Sequence, residues 1–168
     1  MGPRRAAARR RAVRRLAALP TVLATALWLS GCGYATSAGL RLRGGTGHAT
    51  VRPFENGSSD PAVGAEVAAA LREELARRGA EGEGALIEGV ARTGGSAATL
   101  SGGVTARVVL EVRATLSRDG QVLAERTVRR EADYLAGADA LEGEARRAQA
   151  LHRLAGEVAR ALVDGFEE

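Results

Sequence analysis

Val63, Val67, Leu71 and Leu75 recur every fourth position, and alanines between them widen the stripe into one apolar helix face. Asp60 and Pro61 stand just ahead of it. An Asp carboxylate can accept from the free amides of a first turn, and Pro suits the first helical position. Arg77 and Arg78 favour the negative end of the helix dipole, and Gly79 can take the left-handed stop. The spacing predicts a helix between Pro61 and Gly79. Ahead of it, Ala49 to Phe54 reads as a short strand that Pro53 ends or confines to an edge, and Glu55 to Ser59 reads as a turn.

Downstream the period changes to two. Ala85 to Ala91 reads as a second strand, parallel to the first through the crossover helix. Thr93 to Gly103, small and polar, is expected to be a flexible loop. Val104, Ala106, Val108, Leu110, Val112, Ala114 and Leu116 then share one face of a long half-buried strand. Arg118-Asp119-Gly120 turns the chain back. A two-residue turn would pair Leu116 with Leu123 and bury Glu125, Thr127 and Arg129. A three-residue turn pairs Leu116 with Val122, Ala114 with Ala124 and Leu110 with Val128, and burial favours this register. It leaves Arg126 on the core face and sets Arg113 opposite Glu125, with Arg107 near Glu131.

A final helix is predicted from Asp139 to Gly165. Asp139 and Glu142 have capping-box spacing, and Leu141, Ala145, Ala148, Leu151, Ala155, Val158 and Leu162 form its apolar stripe. The order is β-α-β-β-β-α. Both helices are amphipathic, so the expected fold class is α+β, a two-layer sandwich with a four-stranded mixed sheet and two helices on one face.

The first 31 residues carry a different pattern. Seven arginines precede an apolar run from Leu16 to Leu29, and Leu29-Ser30-Gly31-Cys32 follows. This describes an export signal with cleavage between Gly31 and Cys32. The tetrapeptide resembles the lipobox of bacterial lipoproteins, which implies a diacylglycerol on the Cys32 thiol and an N-acyl group on the new amino terminus. The expected organisation is a signal over residues 1–31, a lipidated start and tether over 32–47, and one domain over 48–168. Removal of 31 of the 168 residues leaves 137, enough for one modest core.

Charge then reverses its meaning. The chain has 24 basic and 20 acidic residues, all the basic ones arginine, but 7 arginines precede Cys32 while every acid follows it. The mature balance is therefore 17 against 20, a net of −3. The basic character belongs to the signal, and nothing in the domain suggests nucleic acid. Cys32 is the sole cysteine, so the domain folds without disulfides.

Candidate chemistry is sparse. His48 and His152 lack any metal-ligand spacing, Gly44-Gly45-Thr46-Gly47 lacks the Lys and helix of a phosphate loop, and Glu73, Glu74, Glu81 and Glu83 read as solvated charge. No enzyme activity, metal or soluble cofactor is expected. The polar hairpin face offers Arg107 and Arg113 as candidate contacts to a partner or to phosphates, weighed against plain cross-strand pairing.

Cys32-Gly33-Tyr34 and Val51-Arg52-Pro53-Phe54-Glu55-Asn56-Gly57-Ser58 resemble the lipopolysaccharide-assembly lipoprotein family LptE, as do the Asp60–Gly79 helix and the last helix ending at Gly165-Phe166. The resemblance implies two helices on a four-stranded sheet and a lipid anchor in the outer membrane, on its periplasmic side. It also implies a β-barrel partner that inserts lipopolysaccharide, with lipopolysaccharide itself a further candidate ligand. The alternative class, from the strand around Pro53-Phe54, is a lipoprotein that activates a peptidoglycan synthase or supports a curli-type secretion complex.

Overall fold

A computed structural model describes residues 39–100 and 103–168. The elements are β1 (Ala49–Val51), β2 (Glu55–Asn56), α1 (Val63–Arg77), β3 (Ala85–Leu100), β4 (Gly103–Arg118), β5 (Gln121–Leu135) and α2 (Ala140–Phe166). They form the expected α+β sandwich: one mixed sheet in the order β1-β3-β4-β5, with β1 and β2 both parallel to β3 and the remaining pairs antiparallel. β1 and β2 are two pieces of one edge strand. Val51 lies opposite Ile87 and Glu55 opposite Val90, so the edge spends one more residue than β3 over the same distance. Pro53, which has no N–H to give a ladder, sits in that extra length. Phe54 folds inward there, its ring against Gly89, where any Cβ would come within 2.9 Å of Phe54 Cε1 and 2.0 Å of the Arg113 carbonyl.

α1 starts two residues later than Pro61. Asp60 Oδ1 accepts from Ala62 N–H at 3.1 Å and shapes the turn ahead of the helix. Val63, Val67, Leu71 and Leu75 are all fully buried, and Gly79 at φ +67° ends the helix. Gly64 lets the helix touch the edge strand backbone to backbone, since a Cβ there would lie 2.3 Å from the Phe54 carbonyl. In α2, Asp139 accepts from Glu142 N–H at 2.8 Å, the first half of the capping box that the spacing predicted, while the Glu142 carboxylate accepts at 2.7 Å from Ala138 N–H, one residue ahead of the N-cap. Its buried face begins only at Ala150 and runs to Phe166. Leu141, Ala145 and Ala148, expected in the stripe, are exposed, Leu141 at 83%. The reason is length: α2 is 27 residues and α1 is 15, or about 40 Å against about 22 Å, so the first turns of α2 have no helix beside them.

Two expectations about the strands are corrected. Residues from Thr93 to Leu100 are strand rather than loop, paired with β4 from Thr93 opposite Leu110 to Leu100 opposite Gly103. Their small side chains carry no alternation of their own, and the partner strand supplies the order. The hairpin register also differs. Asp119 (φ 51°) and Gly120 (φ 79°) form a two-residue turn, and Arg118 lies opposite Gln121. A bulge at Leu123 then shifts the ladder, so that Leu116 faces Ala124, Ala114 faces Arg126 and Val112 faces Val128. Val122, expected opposite Leu116, is instead opposite Ser117 and 60% exposed. The bulge restores the parity that a two-residue turn alone would invert, so the buried face is the one expected.

Arg126, left on that face, is accommodated by snorkelling. Its Nε donates to the Gly165 carbonyl at 3.0 Å, and Gly165 leaves room for its stem, since a Cβ there would stand 3.2 Å from Arg126 Cγ and Cδ. The guanidinium thus meets the negative end of α2.

The described part of the tether is strapped to the domain. Leu40 and Leu42 are buried, Arg43 N–H donates to the Phe166 carbonyl at 2.8 Å, and Glu168 N–H donates to the Arg41 carbonyl at 3.0 Å. Gly44 and Gly45, both at positive φ, aim successive amides at Glu168 Oε1 at 3.1 and 3.2 Å. What reads as a linker is a small anion nest holding the last residue.

Removing side-chain volume separates the two faces. Leu110, fully buried on the helix side, should cost about 2–5 kcal/mol when changed to Ala. Thr115→Ala on the open face should stay within about 0.5 kcal/mol. Urea denaturation of both variants checks this, and equal losses would mean the faces are reversed.

Candidate functional site

Among the described residues helices lie on one side only, and the other side of the sheet is open. β4 presents Thr105, Arg107, Val109, Glu111, Arg113 and Thr115 to it, and cross-strand partners extend each position sideways. Arg92, Glu111 and Arg129 form one row across three strands; Val90, Arg113 and Thr127 form the next; Ser96, Arg107 and Asp133 lie nearer the β3–β4 end. A shallow depression on this face is lined by Val90, Arg92, Glu111, Arg113 and Thr127.

Both arginines singled out from the sequence are on this face, and both are engaged. Arg107 forks onto Asp133, with Nε to Oδ1 at 2.6 Å and Nη2 to Oδ2 at 3.0 Å, and reaches Glu131 at 3.4 Å. Its direct cross-strand partner is Asp133, a consequence of the shifted register. Arg113 lies opposite Thr127 and reaches Glu125 diagonally, Nε to Oε1 at 2.5 Å. The two guanidiniums do not converge. Six residues separate them along one strand, about 20 Å, so they would meet different groups of any ligand.

The Asp133 carboxyl is held below its ordinary value, first by the hydrogen bond from Arg107 and then by its charge, and Arg107 is raised in return. Both groups are solvent-exposed, so water and salt weaken the pair and leave it open to exchange for an outside carboxylate or phosphate. Arg92 and Arg129 belong to the same face but were not legible as site residues. The sequence pattern ended β3 at Ala91, which left Arg92 out, and the register that burial favours put Arg129 on the open face without marking it as a contact. The signal that could have found them is the match in parity between Glu88, Val90 and Arg92 and the outward residues of β4.

On the helix side, ion pairs fasten α1 to α2. Arg147 bridges Asp60 at 2.9 Å near the start of α1; Arg78 bridges Asp164 and the buried Glu74, each at 2.6 Å, at its end. His152 pairs with Glu66 between them and stays exposed, while His48 packs against Gly82. Neither histidine belongs to a ligand set: among the described residues no group of three or more His, Cys, Asp or Glu is placed to hold a metal ion. Gly31 and Cys32 lie outside the described residues. Among the described residues no helix is long and apolar enough to cross a membrane.

A two-layer domain with one polar open face, several of whose charged groups are held in pairs with one another, defines the class of α+β sandwiches with an exposed sheet. The sequence profile of the lipopolysaccharide-assembly family LptE matches residues 47–164. The chain belongs to that family, which consists of accessory lipoproteins rather than enzymes and uses no cofactor. Among solved structures, a minor lipoprotein from Acinetobacter baumannii is 10% identical, with TM-score 0.51 over 71% of this chain and 94% of that one. The rare lipoprotein B from Shewanella oneidensis is 16% identical, with TM-score 0.47 over 66% and 90%. The first of these likenesses shows the fold alone. No curated protein matches the sequence.

The Arg107–Asp133 pair has a defined pH dependence. A depressed carboxyl stabilises the fold above the ordinary Asp value of about 3.9 and loses that contribution as pH falls through the lowered value. Arg107→Gln should move the Asp133 titration, followed by carboxyl NMR, back up towards the ordinary range. An unchanged midpoint would show that the fork does not persist in solution.

Proposed function

We propose that this protein is an outer-membrane lipoprotein, anchored through acyl chains on Cys32 and facing the periplasm. It plugs and supports the β-barrel that delivers lipopolysaccharide to the cell surface. The observation that carries the reading is the family match, which spans nearly the whole folded domain from residue 47 to residue 164. The lipobox Leu29-Ser30-Gly31-Cys32 supplies the anchor. At about 0.8 kcal/mol per buried methylene, two or three acyl chains give attachment that is stable in practice.

The strap at Gly39–Thr46 supports the same reading. It fixes the chain arriving from the anchor against the end of α2 and beside Leu123, next to the β4–β5 turn. Seven residues from Cys32 to Gly39 allow at most about 25 Å of slack. The β3–β4 hairpin runs the other way, its strands 16 residues each, or about 50 Å. On this reading the anchor enters at the β4–β5 end, and the sheet is long enough to reach into a barrel. Arg107 and Arg113, on the open face, are the candidate contacts to the barrel or to lipopolysaccharide phosphates.

Labelling cells with a fatty-acid analogue should mark the wild-type protein and leave Cys32→Ala unmarked; equal label in both would remove the anchor from the scheme. Depletion of the protein should lower surface lipopolysaccharide, measured on intact cells, while wall cross-linking holds. Normal surface lipopolysaccharide with altered cross-linking would replace this reading with that of a peptidoglycan-synthase activator.

A further inference from the structure

Beyond Ala91 the outer side of β3 has no strand beside it among the described residues. β1 and β2 cover β3 from Ala85 to Ala91, and the last bond across that line runs from Gly57 N–H to the Ala91 carbonyl at 2.9 Å. β3 itself continues to Leu100, paired with β4 in one unbroken register. Alternation decides which amides remain. Ala85 N–H donates towards β1, to the His48 carbonyl, and the carbonyls of Ile87 and Ala91 accept from Arg52 and Gly57. Odd-numbered residues of β3 therefore point to the edge. Thr93, Gly95, Ala97 and Thr99 continue that row, each with an N–H and a C=O directed away from β4.

Free edges are normally blunted by charge, proline or a bulge. β5, the opposite edge, is blunted: it carries Glu125, Arg126, Arg129, Arg130, Glu131 and Asp133, with a bulge near its start. Thr93 to Leu100 has no charged residue, no proline and no register shift. Beside it lies a recess of about 350 Å³, lined by Ser59, Gly94, Gly95, Ala106, Val108 and Tyr134 among others. It exists because β2 and α1 stop short of this end of the sheet.

We propose that this edge receives an extended segment of the barrel partner as an added strand, in the ladder position that β2 vacates. Backbone hydrogen bonds to the odd-numbered row hold it, and the recess takes small apolar side chains at every second position. The inference rests on the barrel-plug reading above and names the element through which the partner is held. A second copy of this chain fits poorly. Eight residues span about 26 Å, and two edges of Gly, Ser, Ala and Thr would bury well below the roughly 1,200 Å² of a stable specific interface. A barrel that also surrounds the rest of the domain supplies the remaining area.

Ala97→Pro tests this in the full lipidated protein, because it removes an outward N–H and leaves the β4 ladder intact. The outer-membrane β-barrel that copurifies with the wild type, identified by mass spectrometry, should fall by at least about tenfold, while Ala97→Val retains it. Wild-type recovery with Ala97→Pro would overturn the edge proposal alone. If the proline variant does not accumulate, a photo-crosslinking residue at Ala97 decides. An adduct to an extended segment of that barrel supports the proposal; no adduct, or an adduct to a second copy, overturns it. A wild type that brings down no barrel would overturn the plug reading as well.

Discussion

β4 is hydrogen-bonded on both sides and buries a residue at every second position, with Val108, Leu110, Val112, Ala114 and Leu116 at or below 1% exposure. Because helices cover only that face, no neighbour can shift by one residue without driving charge into the core. The other irregularities of the sheet answer to this. The bulge at Leu123 corrects the parity set by a two-residue turn. The extra residue around Pro53 brings Phe54 inward over Gly89. Arg126, which parity forces to the helix side, escapes to the end of α2 through the gap left by Gly165.

The same asymmetry gives the molecule two unlike ends. At one, strap, chain terminus and α2 are locked together by backbone bonds and by two glycine amides on Glu168. At the other, the sheet outruns α1, and α2 overhangs with Leu141 exposed. Leu135 also stands exposed at this end, and β3 there offers an edge of small residues.

The open face adds tolerance rather than strength. Its arginines sit in exposed pairs that water and salt screen, so they contribute little to folding and can exchange partners. The fasteners between α1 and α2 behave differently, because Glu74 is buried and its partner Arg78 is held between Glu74 and Asp164. Breaking that set would strand a carboxylate away from water.

Periodicity in the sequence determined both helices, the buried face of β4, the order of elements along the chain and the layer arrangement, because each depends on local alternation that burial must respect. The likeness of Leu29-Ser30-Gly31-Cys32 to a lipobox and the opposite charges of the first 31 residues and the rest are likewise properties of the chain alone. Tertiary structure decided what alternation cannot encode. The Thr93–Leu100 strand exists because β4 is long enough to template it, not because its Gly, Ser and Ala residues favour extension. The register around Leu123 combines a two-residue turn with a one-residue bulge, which together stand two residues from the expected pairing and keep its parity, so a count of faces cannot detect them. Leu141, Ala145 and Ala148 fit the apolar stripe of α2, yet remain exposed because the helix opposite is too short to cover them. The partners of Arg107 and Arg113 followed from that register, since a shift of two residues gave Asp133 to one and made the Glu125 contact of the other diagonal.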